Sequence, residues 1–281
     1  MSAGLQFRKY EGLGNDFVVV DALDERAVAV EQAPGLCDRR RGIGADGVLL
    51  VLPPRRGDCD VRMRVLNADG SVPEMCGNGA RCVALHVARA RGLRRATLKL
   101  DTDAGVRSCE VDDAVSFDPP GRAGTAFVTI DMGVIAVLGE RSLEVGGERL
   151  TVTLADAGNP HAVVFGDFAR ADVERIGPRV ATSVEFPSGT NVEFARADGG
   201  GIELMVWERG VGMTLACGTG ACATAAVACA RGIASLDRVI GMTLPGGRLE
   251  VTIGRDHRAT MRGPARHVFS GVLAPGWSGR P

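Results

Sequence analysis

Lysine is almost absent from this chain of 281 residues, which contains only Lys9 and Lys99. An enzyme that uses pyridoxal phosphate needs a lysine to form its Schiff base. Both lysines lie in strand-like segments, and neither has a phosphate-binding loop beside it. The sequence therefore does not favour pyridoxal chemistry.

The chain also lacks an excess of charge and a long apolar run. It carries 33 basic and 34 acidic residues, and the two signs are interspersed. Nucleic-acid binding needs a positive field, which this balance does not supply. No apolar run approaches the ~18 residues of a membrane span, and residues 1–12 lack the pattern of a signal peptide. We therefore expect a cytoplasmic protein that binds neither nucleic acid nor membranes.

Spacings typical of metal ligands are missing too. The eight cysteines include no C-x-x-C pair, and the four histidines have no zinc-type spacing. The motif at residues 42–47 matches G-x-G-x-x-G, but it precedes a strand-like run at 48–52, whereas a dinucleotide-binding motif opens a helix. It is better interpreted as a glycine turn. We expect no metal and no cofactor.

Two short motifs, in contrast, occur twice at an interval of about half the chain. A Gly-Asn turn precedes an apolar run at Asn15 and again at Asn159, 144 residues later. The motif Cys-Gly-x-Gly-Ala starts at Cys76 and again at Cys217, 141 residues later. The chain length fits two domains of about 150 residues. The repeats therefore predict an internal duplication.

An apolar helix is predicted after each Cys-Gly-x-Gly, at residues 80–88 and 221–230. Both segments are apolar on nearly every face, which is typical of a helix inside a core. Alternating or β-branched runs predict strands at 6–10, 48–52, 61–66, 97–101, 127–130, 150–154, 202–207 and 249–253. We predict an α+β fold of two similar domains, each a sheet curled around one buried helix.

The proline- and glycine-rich segment 112–125 is the best linker candidate. We expect an N-terminal lobe of residues 1–120 plus 266–281 and a C-terminal lobe of residues 121–265. Each lobe would then carry one of the two repeated cysteines.

Cys76 and Cys217 are the candidate acid and base. A cysteine at a helix N-terminus lies where the helix dipole stabilises a thiolate, and the first N–H groups can bind an anion. If the halves face each other, one sulfur could take a proton from one face of a carbon while the other returns a proton to the opposite face, which inverts a stereocentre. The two thiols must then titrate as a coupled pair.

Other polar residues permit plainer interpretations. His161 could be a hydrogen-bonded core histidine or could line a site. Asp46 and Asp69 are interpreted as residues that set turns. Cys82 and Cys222, one turn or more inside the predicted helices, are interpreted as packing residues. The remaining cysteines are interpreted as small buried apolar residues of the core; they are Cys37, Cys59, Cys109 and Cys229.

Six motifs in order make the chain resemble the diaminopimelate epimerases from end to end. They are GLGNDF at 12–17, GIGADG at 42–47, NADGS at 67–71 with EMCGNGARC at 74–82, GNPH at 158–161, GTNVEF at 189–194, and ERG at 208–210 leading to ACGTGAC at 216–222. The resemblance implies a cofactor-independent enzyme of lysine and peptidoglycan-precursor synthesis that interconverts LL- and meso-2,6-diaminoheptanedioate. It also implies two β-barrel-like domains, each with a central buried helix, and a homodimer.

The resemblance further implies residue roles, with Cys76 and Cys217 as acid and base. N–H groups of Gly77, Asn78, Gly218 and Thr219 would hold the carboxylate at the reacting carbon, Glu208 its ammonium, and Asn15, Asn67, Asn159, Asn191 and Arg209 the distal amino-acid end. The chain departs from the usual pattern at Met213, where the family commonly has glutamate, and at Val72-Pro73. The first departure removes a carboxylate near the second cysteine.

Two alternative functions stay open. One is a proline or hydroxyproline racemase of the same architecture, which Asn78 and the distal-end asparagines do not favour. The other is an amino-acid-binding protein or redox sensor that pairs Cys76 with Cys217.

Overall fold

The computed structural model describes residues 4–113 and 125–277. The backbone forms two units, Met1–Ile130 with Gly263–Pro281 and Asp131–Arg262. The predicted linker lies mostly outside the described residues, at 114–124. The lobe boundaries expected from the sequence therefore stay a prediction.

The elements of the first unit are β-strands, one short α-helix and one long α-helix. Its elements are β1 (Gln6–Gly12), β2 (Asn15–Asp21), α1 (Ala33–Cys37), β3 (Gly47–Leu52), β4 (Val61–Asn67), α2 (Gly77–Ala90), β5 (Arg95–Thr102), β6 (Gly105–Asp112) and β7 (Thr125–Val134), whose last four residues belong to the second unit.

The second unit has a similar order of elements and a longer helix in its first crossover. Its elements are β8 (Ala136–Val145), β9 (Glu148–Asp156), β10 (Pro160–Phe165), α3 (Arg170–Ala181), β11 (Asn191–Ala197), β12 (Ile202–Glu208), β13 (Gly212–Thr214), α4 (Gly218–Ala230), β14 (Val239–Leu244), β15 (Gly247–Ile253) and β16 (Arg258–Val272), which ends in the first unit.

Strand pairing shows the same topology in both units. In the first unit, β2 runs parallel to β3 across the connection that holds α1, and β4 runs parallel to β5 across α2. In the second, β10 runs parallel to β11 across α3, and β12 runs parallel to β14 across α4. The strand pairs β3–β4 and β11–β12 are both antiparallel. The predicted duplication is therefore visible in the fold.

Each sheet curls around one apolar helix. Helix α2 contacts the six strands β1 to β6, and α4 contacts β8, β9, β10, β11 and β15. Both helices are buried along most of their length, as their apolar composition predicts. The eight predicted strands all lie within observed strands. The α+β class, with a β-barrel-like sheet around a central helix in each domain, is confirmed.

Helix α3 was not predicted, because only one helix in each half of the chain was expected from the sequence. Its apolar residues Val173, Ile176 and Val180 recur at helical spacing and are buried against the outer face of the sheet. Gly177 allows this close packing, since a Cβ at this position would lie 2.8 Å from Trp207 Cβ. The sequence pattern did not predict this helix because exposed residues separate the apolar positions and because Pro178 lies among them.

Among the described residues, no helix combines the length and the apolar composition that a membrane span requires.

Candidate active site

Cys76 is the N-cap of α2 in the first unit. Its backbone is extended (φ −140°, ψ 110°), and its sulfur accepts a hydrogen bond from the Gly79 N–H at 3.4 Å. A Cβ at Gly79 would lie 2.9 Å from Leu49 Cδ2, so glycine allows the helix start to pack against β3. The first N–H groups of a helix have no acceptor within it. The Cys76 sulfur therefore lies at the positive end of α2.

Cys217 has the equivalent position in the second unit, at the N-cap of α4. Its backbone is also extended (φ −124°, ψ 112°). Its sulfur lies 3.5 Å from Thr219 Oγ1, and the cysteine is buried. The two repeated cysteines thus share one backbone geometry at the N-cap, as the duplicated motif predicts.

The surroundings of Cys217 keep it protonated. Burial raises the pKa of the Cys217 thiol well above its usual range, and the negative charges of Glu208 and Glu193 raise it further. Burial also raises the pKa of Glu208, although the Thr214 hydroxyl opposes this by donating to Glu208 Oε1 at 2.5 Å. Burial and the two carboxylates therefore favour the thiol form of Cys217 over the thiolate.

His161 is a buried histidine with both ring nitrogens hydrogen-bonded. Nδ1 lies 2.7 Å from Glu193 Oε1, and Nε2 lies 2.9 Å from Asn159 Oδ1. His161 is a core histidine whose two ring nitrogens both have hydrogen-bond partners. It also lies near the candidate site, because its partner Glu193 lies beside Cys217. A Cβ at Gly220 would be 2.7 Å from Glu193 Oε1 and 3.3 Å from the Cys217 sulfur.

Glu193 is a residue that sequence analysis did not assign. Its side chain is fully buried, and its Oε2 has no hydrogen-bond partner within the described part of the chain. A buried carboxylate of this kind costs free energy. The sequence did hold a signal, because Glu193 stands between Val192 and Phe194 in an otherwise apolar run.

The replacement Gly220→Ala is expected to destabilise the protein by about 1–3 kcal/mol. The new Cβ would lie 2.7 Å from Glu193 Oε1, which cannot move away without breaking its bond to His161. Chemical denaturation measures the change. The control is Gly57→Ala, whose Cβ would meet no atom within 4 Å and should change stability by less than about 0.5 kcal/mol. Equal stability of the two variants would contradict this packing.

Asn191 and Arg209 lie together in the second unit. Asn191 Oδ1 accepts from the Arg209 backbone N–H at 2.9 Å, and Asn191 Nδ2 donates to the Pro160 carbonyl at 3.2 Å. Arg209 Nη1 donates to the Ser188 carbonyl at 3.1 Å. No carboxylate within residues 4–113 or 125–277 pairs with this guanidinium. Arg209 can therefore receive a carboxylate from a ligand.

Asn15 and Asn78 are connected in the first unit, where Asn78 Nδ2 donates to Asn15 Oδ1 at 3.2 Å. Asn15 Nδ2 in turn donates to Asp46 Oδ2 at 2.7 Å. Asp46 therefore does more than set a turn, which corrects the sequence interpretation. Asn67 is the last residue of β4 and pairs with Gly47 of β3. Gly47 follows Asp46 directly in the chain, so Asn67 lies near Asp46.

The turn after Asn67 is as predicted. Asp69 Oδ1 accepts from the Ser71 backbone N–H at 2.8 Å, which is the hydrogen bond of an Asx turn. The Ser71 hydroxyl also accepts from Asn67 Nδ2 at 2.8 Å. The turn thereby restrains the Asn67 side chain.

All eight cysteines lie in the described part of the chain and are free thiols. Cys82 and Cys222 are fully buried inside the two central helices, as expected. Cys229 is only partly buried, which corrects its interpretation as a core residue. Met213 pairs with Trp207 across β12 and β13 and packs against the apolar cluster beneath α3, so the unusual residue has a packing role.

A metal site is not evident in the same part of the chain. Within residues 4–113 and 125–277, no three His, Cys, Asp or Glu side chains are grouped so that they could hold a metal ion.

Two solved structures have folds similar to that of this chain. A probable proline racemase from Agrobacterium radiobacter K84 superposes with a TM-score of 0.74, covers 96% of this chain and 93% of that chain, and is 20% identical. A hydroxyproline epimerase from Agrobacterium vitis gives a TM-score of 0.71 over 96% and 92%, at 17% identity. The chain therefore has the fold that these racemase and epimerase structures share.

Sequence comparison shows the family to which the chain belongs. A sequence model described as diaminopimelate epimerase matches residues 7–130 and 153–268. The diaminopimelate epimerase of Microcystis aeruginosa (strain NIES-843) is 42% identical over 280 residues, which cover 95% of this chain and 98% of that protein. That of Synechocystis sp. (strain PCC 6803) is 42% identical over 289 residues, with the same two coverages. The chain belongs to the diaminopimelate epimerase family, as its motifs predicted.

Proposed function

We propose that this chain is an isomerase that interconverts LL- and meso-2,6-diaminoheptanedioate in lysine and peptidoglycan-precursor biosynthesis. The observation that carries the proposal is the pair of equivalent N-cap cysteines, Cys76 and Cys217, in a chain of the diaminopimelate epimerase family. The reaction needs no cofactor, because thiols supply both the base and the acid. We also propose a cytoplasmic homodimer.

Cys76 and Cys217 act on opposite faces of one α-carbon in this proposal. In one direction the Cys76 thiolate takes the α-proton, and the electron pair of the broken C–H bond moves into the adjacent carboxylate. The Cys217 S–H bond then breaks as its proton forms a new C–H bond on the other face, leaving Cys217 as the thiolate. The reverse reaction exchanges these roles. The raised pKa of the Cys217 thiol supports its assignment as the initial acid.

The charges of the amino-acid substrate match the groups at the two helix starts. Its reacting carboxylate would accept from the N–H groups of Gly77, Asn78, Gly218 and Thr219, which lie in the first turns of α2 and α4. These fixed dipoles oppose the charge that develops on the carboxylate when the proton leaves. The ammonium group would pair with Glu208, whose negative charge it would neutralise.

The distal amino-acid end would bind to a set of amides and one guanidinium. These residues are Asn15, Asn67, Asn159, Asn191 and Arg209. An amide can donate to a carboxylate and accept from an ammonium group, and arginine can bind a carboxylate through two N–H groups. Proline has no such distal end.

The substrate preference tests the proposal. The purified protein is incubated without added cofactor with LL-diaminopimelate, L-proline or trans-4-hydroxy-L-proline, and chiral chromatography follows the products. We expect the meso isomer to form from diaminopimelate and no D-proline to form. Epimerisation of proline or hydroxyproline alone would contradict the proposal. Binding of diaminopimelate with no turnover would instead support the amino-acid-binding alternative.

A further inference from the structure

A directed chain of hydrogen bonds connects Arg81 to Asp46 through two amide side chains. Arg81 Nη2 donates to Asn78 Oδ1 at 2.7 Å, and Asn78 Nδ2 donates to Asn15 Oδ1 at 3.2 Å. Asn15 Nδ2 then donates to Asp46 Oδ2 at 2.7 Å. All four residues belong to the first unit.

The residues at the two ends of this hydrogen-bond chain, Arg81 and Asp46, fix the direction of its hydrogen bonds. A guanidinium group can only donate hydrogen bonds, and an ionised carboxylate can only accept them. The Asn78 oxygen must therefore face Arg81, which turns the Asn78 nitrogen toward Asn15. The Asn15 nitrogen must in the same way face Asp46. The orientation of both amides follows from the chemistry of the end groups.

Arg81 is held at a buried position close to the start of α2. Its residue exposure is 0%, and that of Asn78 is 4%. Burying a charged side chain costs free energy unless its donors are satisfied. Arg81 Nε donates to the Pro264 carbonyl at 3.1 Å. A Cβ at Gly12 would lie 3.2 Å from Arg81 Nη2, so glycine leaves room for the guanidinium.

Asp46, at the other end of the hydrogen-bond chain, is held in place by neighbouring residues. Arg39 Nη2 donates to Asp46 Oδ1 at 2.8 Å, and the Asp16 backbone N–H donates to Asp46 Oδ2 at 3.0 Å. Arg39 also binds Asp16, whose carboxylate forms an ion pair with Lys9 at 2.7 Å. These contacts hold the acceptor that faces the Asn15 amide nitrogen.

We propose that Arg81 and Asp46 are positioning residues that fix the amide orientation of Asn15 for substrate recognition. The fixed orientation leaves one N–H of Asn15 for a substrate carboxylate and one lone pair of its oxygen for an ammonium group. The order of these two groups around the amide is thereby set before the substrate binds. This inference rests on the proposed function, which places the distal end of the substrate at Asn15.

Exchanging the two side chains at the Asp46 end tests the orientation. Asn15→Asp places a carboxylate against Asp46, so its Tm should fall. The double variant Asn15→Asp/Asp46→Asn removes the repulsion between the two carboxylates and restores a donor to this contact, although the Asp16 backbone N–H loses its acceptor. Because repulsion between two carboxylates in contact costs more than one lost backbone acceptor, its Tm should exceed that of Asn15→Asp by about 3 °C or more. Its kcat/KM for diaminopimelate should stay about 10- to 100-fold below that of the unmodified protein, because residue 15 has lost its N–H.

The separation of stability from activity distinguishes positioning from a merely structural role. A double variant no more stable than Asn15→Asp would overturn the assigned orientation. A double variant with the kcat/KM of the unmodified protein would overturn its role in recognition. If Asn15→Asp yields no folded protein, recovery of folded protein in the double variant replaces the Tm comparison. Failure of the unmodified protein to epimerise diaminopimelate would refute the proposed function, while the Tm comparison would still test the orientation.

The Arg81 end is tested with a matched pair on α2. Arg81→Met removes the charged donor to Asn78 and should raise KM for diaminopimelate about tenfold or more, since the Asn78 and Asn15 amides are then held from the Asp46 end only. The control is Arg89→Met, which removes an arginine whose Nε bonds to Asp113 two turns further along the helix. It should change KM less than about twofold. An Arg81→Met variant with a lower Tm but unchanged KM would overturn the positioning role.

Discussion

Replacing either Cys76 or Cys217 by alanine is expected to lower kcat for epimerisation of diaminopimelate by about 10²- to 10⁴-fold, the usual contribution of a positioned acid or base. Each unit supplies one of the two sulfurs, and neither variant can remove a proton from one face of the carbon and return one to the other face. Each single variant should still exchange the α-proton of the isomer whose C–H bond faces its remaining sulfur. NMR in deuterated water measures this exchange separately for the LL and meso isomers.

Two other cysteines provide matched controls for these variants. Cys82 and Cys222 are buried in the same two helices, beyond the first turn. Cys82→Ala and Cys222→Ala should retain kcat within about tenfold, since these thiols contribute packing only. If Cys76→Ala or Cys217→Ala also turned over within tenfold of the unmodified protein, the assignment of acid and base would be wrong.

The stability of the protein should fall steeply between pH 9 and pH 11. Burial raises the pKa of Cys82 far above the usual thiol range and that of Cys37 to about 11. Thiols in the unfolded chain lose their protons near pH 8.5, whereas these native thiols keep theirs. Rising pH therefore favours the unfolded state, and each such thiol lowers the free energy of unfolding by up to about 1.4 kcal/mol per pH unit.

Cys82→Ala isolates one thiol in this pH dependence. Between pH 9 and pH 11, its free energy of unfolding should fall about 2.5 kcal/mol less than that of the unmodified protein. Urea titrations at several pH values measure the difference. Cys229→Ala is the control, because Cys229 is only partly buried and burial raises its pKa less. A Cys82→Ala variant with the same pH dependence as the unmodified protein would show that the thiol titrates normally.

Much of the fold could be predicted because local patterns and tertiary structure agree. The run around Val48 is a buried strand, the alternating run around Leu249 is a strand with one buried face, and the segments after Cys76 and Cys217 are buried helices, as their patterns indicate. Helix α3 was missed because its three apolar positions are separated by charged residues and by Pro178. A helix of this kind is stabilised by packing on the sheet, which a local pattern does not contain.

The sequence patterns singled out the two N-cap cysteines but not the hydrogen-bond network of the candidate site. The repeated motifs singled out Cys76 and Cys217, and the structure places both at helix N-caps. The bond between His161 and Glu193 joins residues 32 positions apart, and the bond between Asn78 and Asn15 joins residues 63 positions apart. Nothing in the local sequence specifies such partners. Their positions depend on the pairing of β10 with β11 and on the packing of α2 against β2.

The position of solvent deuterium at early conversion tests the two-sulfur account most directly. LL-diaminopimelate is incubated with the enzyme in deuterated water, and mass spectrometry follows both isomers while less than about a tenth has reacted. The account predicts one deuterium in each newly formed meso molecule and none in the remaining LL isomer, because the returned proton comes from the other, solvent-exchanged sulfur. Meso product that retains the original hydrogen would contradict it.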